Sequence, residues 1–272
     1  MSDIAVGMST LPWYYEPELL PHLPLLAEAG VKHVELRRLD PHVDIADPSS
    51  VREFTSECRD LGLVLHSVHM PIELIHGMSE LDESVRRQMV ADAKRVAEGV
   101  VALGIGILVT HTGGRIRDGV TRQAVCQAAR ASLAELCPFC ETLGLTVALE
   151  NTLPTEFGIV PEQITMRDGL NVPGVRCCLD TSHANLAGGD PVAALDQLGH
   201  RLVTLHVSDN DGERDLHALP GDGNIDWPAF LQGLERNGYD GVFMMEVRGS
   251  SLEATPGEVA ARFRDLMQSD GN

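Results

Sequence analysis

Eight short apolar runs, separated by segments long enough for a helix, organise this chain, and five of them stop on a residue able to bind a divalent cation. ILVTH ends at His111, TVALE at Glu150, VRCCLD at Asp180, LVTLH at His206 and VFMME at Glu246. Runs of four to six residues rich in Val, Ile and Leu suit strands covered on both faces, as in a parallel sheet wrapped in helices. The expected strands are Ile4–Met8, His33–Leu36, Leu63–Val68, Ile107–His111, Thr146–Glu150, Val175–Asp180, Leu202–Val207 and Val242–Val247. Between Ser79 and Gly104, Val85, Met89, Ala93, Val96 and Val100 recur at steps of three and four, and Gly104 is placed to end that helix. Further helices are expected over Glu18–Ala29, Ser49–Leu61, Thr121–Leu143, Pro191–Leu198, Trp227–Asn237 and Pro256–Met267, with a weaker one near Glu162–Gly169. Strand and helix alternating eight times predict an α/β fold, a single (β/α)8 TIM barrel, with residues 1–272 forming one domain.

Hydrophobic residues make up 43% of the chain, enough for a core, yet no apolar stretch is long enough to span a bilayer. The first residues carry neither a basic segment nor a long apolar one, so a cytoplasmic location is expected. The six cysteines form no paired zinc ribbon. Cys137 and Cys140 do form a CPFC, but inside a helical pattern, where buried core thiols are expected rather than a redox pair. The formal charge of −19 repels phosphate backbones, which disfavours a general nucleic-acid binder. A homo-oligomer is compatible with the sequence.

Glu150, Asp180, His206 and Glu246 come from four different strand ends, where barrel enzymes keep their chemistry. Three carboxylates and one imidazole suit manganese, magnesium, cobalt or zinc better than a thiolate-preferring metal. A second set lies close in sequence: His183 follows Asp180 by three, Asp215 and His217 follow His206, and His69 and His111 end the third and fourth strands. These are candidates for further ligands or for hydrogen bonds to substrate hydroxyls. His22, His33, His42, His76 and His200 are read as ordinary hydrogen-bonded residues, and His66 is left open between core and site. Trp13, Tyr14 and Tyr15, after the first strand, are candidate walls against a bound ring, with surface or interface packing as the equal alternative.

The segments HMP at His69, HTGG at His111, ALEN at Glu150, CLDTSHANLAGGDP at Asp180, LHVSDNDGERDLHALPGDGNIDW from His206 and MMEVRG at Glu246 span most of the chain. In them it resembles the sugar phosphate isomerase/epimerase family of xylose-isomerase-like TIM barrels, related to endonuclease IV. For the epimerase branch the resemblance implies one divalent ion on Glu150, Asp180, His206 and Glu246, and a sugar, keto-sugar or sugar phosphate substrate. Glu150 and Glu246 would exchange protons with the sugar carbon through an enediolate held on the metal. His183 would contact a substrate oxygen, and Arg214 or Arg248 a carboxylate or phosphate. The nuclease branch implies instead three zinc ions on His69, His111, Glu150, Asp180, His183, His206, Asp215, His217 and Glu246. Against that branch, Leu216 stands where the nuclease has an arginine, and MPIELIHG lacks an aromatic wedge. A metal-dependent sugar isomerase or epimerase is therefore expected, with a multinuclear phosphodiesterase as the alternative.

Overall fold

The computed structural model describes residues 4–248 and 255–269. Eight strands, β1 Ala5–Ser9, β2 His33–Leu36, β3 Val64–His69, β4 Ile107–His111, β5 Thr146–Glu150, β6 Val175–Asp180, β7 Leu202–His206 and β8 Val242–Met245, pair in parallel in chain order from β1 to β7. β8 returns to pair with β1. The remaining edge, between β7 and β8, is closed by the bridge Val207–Met245, where Val207 N donates to Met244 O (2.8 Å) and Glu246 N donates to Val207 O (3.0 Å). The result is a nearly closed (β/α)8 TIM barrel.

Around it lie α1 Leu23–Ala29, α2 Pro48–Asp60, α3 Ile72–Gly77, α4 Glu83–Ala102, α5 Arg122–Thr142, α6 Val160–Leu170, α7 Thr181–Leu186, α8 Pro191–Leu198, α9 Trp227–Arg236 and α10 Pro256–Ser269. Side-chain caps begin many of them: Asp82 accepts from Ser84 N, Thr121 from Ala124 N and Asp226 from Ala229 N. After α4 and α5 the chain reverses through Gly104 and Gly144, whose φ of 75° and 71° lie in the left-handed region that glycine tolerates. The expected helix Glu18–Ala29 is shorter than its pattern. Pro21 and Pro24 interrupt it, so Leu20–His22 forms a 3-10 turn and the α-helix starts at Leu23. The helices α3 and α7 were not anticipated, because six residues are too few to establish a period. Cys137 and Cys140 lie on the buried face of α5 as free thiols, and burial pushes Cys140 up to about 12. Among the described residues no helix is long and apolar enough to cross a membrane.

The main core lies between strands and helices. A second, smaller cluster joins Val109, Ala148 and Cys178. Each stands two residues before His111, Glu150 or Asp180, hence on the same side of its strand. The ionisable strand ends therefore share the barrel's inner face, above an apolar floor.

Candidate metal and active site

Register brings the strand ends level, with His111 opposite Glu150 and Asp180 opposite His206. Glu246 follows β8 directly and is fixed by its bond to Val207. Glu150, Asp180, His206 and Glu246, all buried, offer ligand atoms within 4.8 Å of one another. His206 Nδ1 stands 2.8 Å from Glu150 Oε1 and 3.2 Å from Glu246 Oε2. Two further groups flank this one, His69 with His111 and Glu150, and His183 with Asp215 and His217, each with the same mutual reach.

How the imidazoles are held shows what they can offer. His69 Nδ1 donates to Met70 O (2.7 Å), His183 Nδ1 to Asn151 O (3.0 Å) and His217 Nδ1 to Glu246 O (3.0 Å), while His111 Nδ1 meets Glu156 Oε2 (2.9 Å). Each has one ring nitrogen anchored, leaving Nε2 for the site. His206 is turned the other way, with Nε2 on Glu35 Oε2 (2.9 Å) and Nδ1 toward the carboxylates. An imidazole held at one nitrogen and presented at the other is the usual arrangement of a metal-ligating histidine.

Asp180 ends β6 and caps α7 in one step, its Oδ1 accepting from His183 N (2.7 Å). That short turn puts His183 beside the cluster. Asp180 Oδ2 is buried and has no hydrogen-bond partner. Burial, opposed by His183 but reinforced by Glu150 and Glu246, pushes the Asp180 carboxyl up to about 6. A buried carboxylate oxygen that accepts no hydrogen bond, with only His183 Nδ1 at 3.5 Å and two more carboxylates beside it, fits a hard or borderline divalent cation, which would remove the repulsion. Burial also disfavours charge on His206 and His217, but their acidic neighbours outweigh it. His217 is raised to about 9, chiefly by Asp215 and then Glu246. The backbone of His217 has φ 46°, a left-handed conformation unusual for a side-chain-bearing residue, and is held there as Arg248 N donates to His217 O (2.8 Å).

Three acting neighbours escaped the sequence reading. Glu35 stands one residue before the end of its run, HVEL, so it lacked the strand-ending position that marked Glu150 in VALE. Glu156 bridges His111 and His76 from the loop after β5 and carries no comparable signal. Arg37, mostly buried, sets Nε 3.1 Å from Glu246 Oε1. Of the anticipated substrate contacts, His69, His111 and His183 are in the cluster; burial works against the Asp215 charge, but His217, then His183 and last Arg248 lower its carboxyl to about 2. Arg214 is not brought there: its side chain is 71% exposed and forms an ion pair with Asp211 (2.6 Å) in the same turn. Trp13 is buried and stacked on His22, so packing accounts for it, while Arg38 covers the Tyr14 ring and Tyr15 points into solvent. His66 belongs to the barrel interior, with Nε2 on Thr204 Oγ1 (3.2 Å).

Residues 23–268 match the family described as xylose isomerase-like TIM barrel. The chain is 28% identical over 253 residues to the uncharacterized protein MJ1311 of Methanocaldococcus jannaschii, covering 90% of this chain and 84% of that one. It is 27% identical over 203 residues to the fructoselysine 3-epimerase of Escherichia coli O157:H7, covering 70% of each. Among solved structures, a D-tagatose 3-epimerase-like protein superposes with a TM-score of 0.85 at 21% identity, covering 98% of both chains. An L-ribulose 3-epimerase gives 0.81 at 19%, covering 98% of this chain and 96% of that one.

Proposed function

This chain belongs to the xylose isomerase-like TIM barrel family, and from that membership together with the clustered donors we propose that it is a divalent-metal-dependent sugar isomerase or epimerase. The observation that carries the reading is the convergence of two glutamates, Glu150 and Glu246, with Asp180 and His206 around one point. Those four residues would hold the ion, and their oxygen-rich set suits manganese, cobalt, magnesium or zinc. When bound, the ion supplies Lewis acidity that polarises a sugar carbonyl and acidifies the neighbouring C–H. Glu150 removes the proton from that carbon, leaving it planar. Glu246, which takes up a proton from solvent for this step, returns it from the other face; inversion follows, and Glu150 gives its proton up to solvent. His183, with Nδ1 committed to Asn151 O, offers Nε2 to a substrate oxygen. The fructoselysine 3-epimerase and the 3-epimerase structures support a keto-sugar as substrate, with the carbon beside the ketone as the reacting centre.

One observation favours a second reading: the two flanking groups, His69–His111–Glu150 and His183–Asp215–His217, would complete a multinuclear site suited to phosphodiester cleavage. The charge of −19 and the outward-turned Arg214 weigh against a DNA substrate. Elemental analysis of protein purified without a metal-affinity tag, paired with a ketose epimerisation assay, separates the two. One ion per chain with epimerisation supports the first reading; three ions with cleavage of an abasic-site duplex support the second.

A further inference from the structure

His206 is the one site histidine presented through Nδ1, and the residue behind it is Glu35. Glu35 is wholly buried at the inner end of β2, opposite Ser67 in the register with β3. Its Oε2 accepts from Ser67 Oγ (2.7 Å) and from His206 Nε2 (2.9 Å), while its Oε1 has no hydrogen-bond partner. A buried carboxylate that leaves one oxygen unsatisfied is a costly thing to keep at the heart of a barrel unless its other oxygen does a job. We propose that Glu35 is a positioning residue that turns His206 into a metal ligand, fixing the proton on Nε2 and freeing Nδ1 for the cation. This rests on the metal reading above.

Carboxylate oxygens face both ring nitrogens, 2.9 Å from Nε2 and 2.8 and 3.2 Å from Nδ1, so without a cation either neutral form sets a lone pair against an anion. A cation held by Glu150, Asp180 and Glu246 would remove that conflict at Nδ1 alone, which leaves the ring proton on Nε2, facing Glu35. A second pair of restraints fixes the ring's pose, because Ser67 holds the oxygen that Glu35 uses and the His69 ring stacks on His206 with centroids 5.9 Å apart. A carboxylate behind the imidazole also strengthens it as a donor to the metal.

The test is cobalt(II) titration of chelator-treated protein, followed by visible absorption, in wild type, Glu35→Leu and Glu35→Gln. Wild type binds cobalt. In Glu35→Leu the Kd rises about 10- to 100-fold and the absorption bands change shape. Glu35→Gln, which keeps an oxygen acceptor without the charge, falls between. In zinc-loaded protein, ¹⁵N spectra of His206 show a protonated Nε2 in wild type, and that signal is lost or shifted in Glu35→Leu. A merely structural Glu35 would alter the melting temperature and leave cobalt affinity, band shape and the His206 signal alone. That result overturns the inference while the metal reading stands. Should Glu35→Leu fail to fold, wild-type affinity and bands in Glu35→Gln overturn it equally. Failure of wild type to bind cobalt overturns the metal reading and this inference with it.

Discussion

At the scale of single residues, the division of labour between Glu150 and Glu246 is where chemistry and metal binding can be pulled apart. Both are buried among imidazoles, with Glu150 engaging His206 through Oε1 and His69 through Oε2. Burial works against their charge, but the positive neighbours, His206 above all, hold both carboxylates below their usual range, so each rests ionised and carries a proton only during the transfer. Replacing either by Gln preserves shape and an oxygen donor but removes the proton acceptor. Turnover of a ketose substrate should fall by about 10²-fold or more in each variant, while cobalt binding persists. Turnover within a few-fold of wild type in both, measured at saturating metal, would remove the acid/base assignment. The proposed ligands Glu150, Asp180, His206 and Glu246 were legible in the sequence because each ends an apolar run. The partners behind them were not: Glu156 and Asn151 act through contacts that the fold creates between loops, and no local pattern marks a residue whose importance is the ring nitrogen it anchors.

At the scale of elements, the segment between β7 and α9 carries Asp215 and His217 with little regular structure of its own. Buried Asp209 holds it. Its Oδ1 accepts from Asn210 N (2.9 Å) and Ile225 N (3.3 Å), and its Oδ2 from Gly221 N (2.7 Å) and Trp227 Nε1 (2.8 Å). Gly223 passes so close beneath that a Cβ there would collide with the Asn210 carbonyl and the Asp209 carboxylate. Asp209→Ala strands several buried donors, each unpaired polar group costing about 1–3 kcal/mol. The melting temperature should drop by several degrees and the Trp227 fluorescence should shift to the red as water reaches the loosened indole. An unchanged melting curve would mean that the segment is held by something else. From the sequence this stretch reads only as a long polar loop. The eight strands were found within one or two residues because burial on both faces forces a recognisable composition, whereas β8 stops at Met245, short of Val247, where Glu246 turns to bond Val207 across the closing edge.

For the whole molecule, the clustered carboxylates tie stability to pH and, on the proposed reading, to metal. In metal-free protein Asp180 is raised to about 6 from an ordinary value near 3.9. The unfolded chain ionises this group freely while the fold resists, so its penalty is absent below about pH 4 and complete above about pH 6. His217, raised to about 9, contributes stability that is full below about pH 6.5 and disappears as pH climbs through 9. Both effects weaken the metal-free protein on going from mildly acidic to alkaline solution. A bound cation would relieve the first and, by neutralising Glu246, would take the place of the charge on His217 that Glu246 supports. Chelation should therefore lower the melting temperature, and the gap between loaded and chelated protein should widen from pH 6 to pH 9; a gap that narrows over that range would contradict the electrostatic description of the site. The barrel itself was legible from the alternation of runs and helices, and the acidic surface from a count of charges. The grouping of nine ligand-type residues into three adjoining sets depends on which strand ends the closed sheet brings level, and only the three-dimensional structure supplies that.

The central claim is metal-supported proton transfer at the carbon beside a sugar carbonyl. Its most direct measurement is the incubation of manganese-loaded protein with a panel of ketoses in deuterium oxide, followed by mass spectrometry and proton NMR of the recovered sugars. The expected result is a single deuterium at that carbon in the epimerised product, lost on chelation and restored by added metal. Epimerised product carrying only the original hydrogen, or no exchange in any ketose alongside metal-dependent cleavage of an abasic-site duplex by the same preparation, would contradict it.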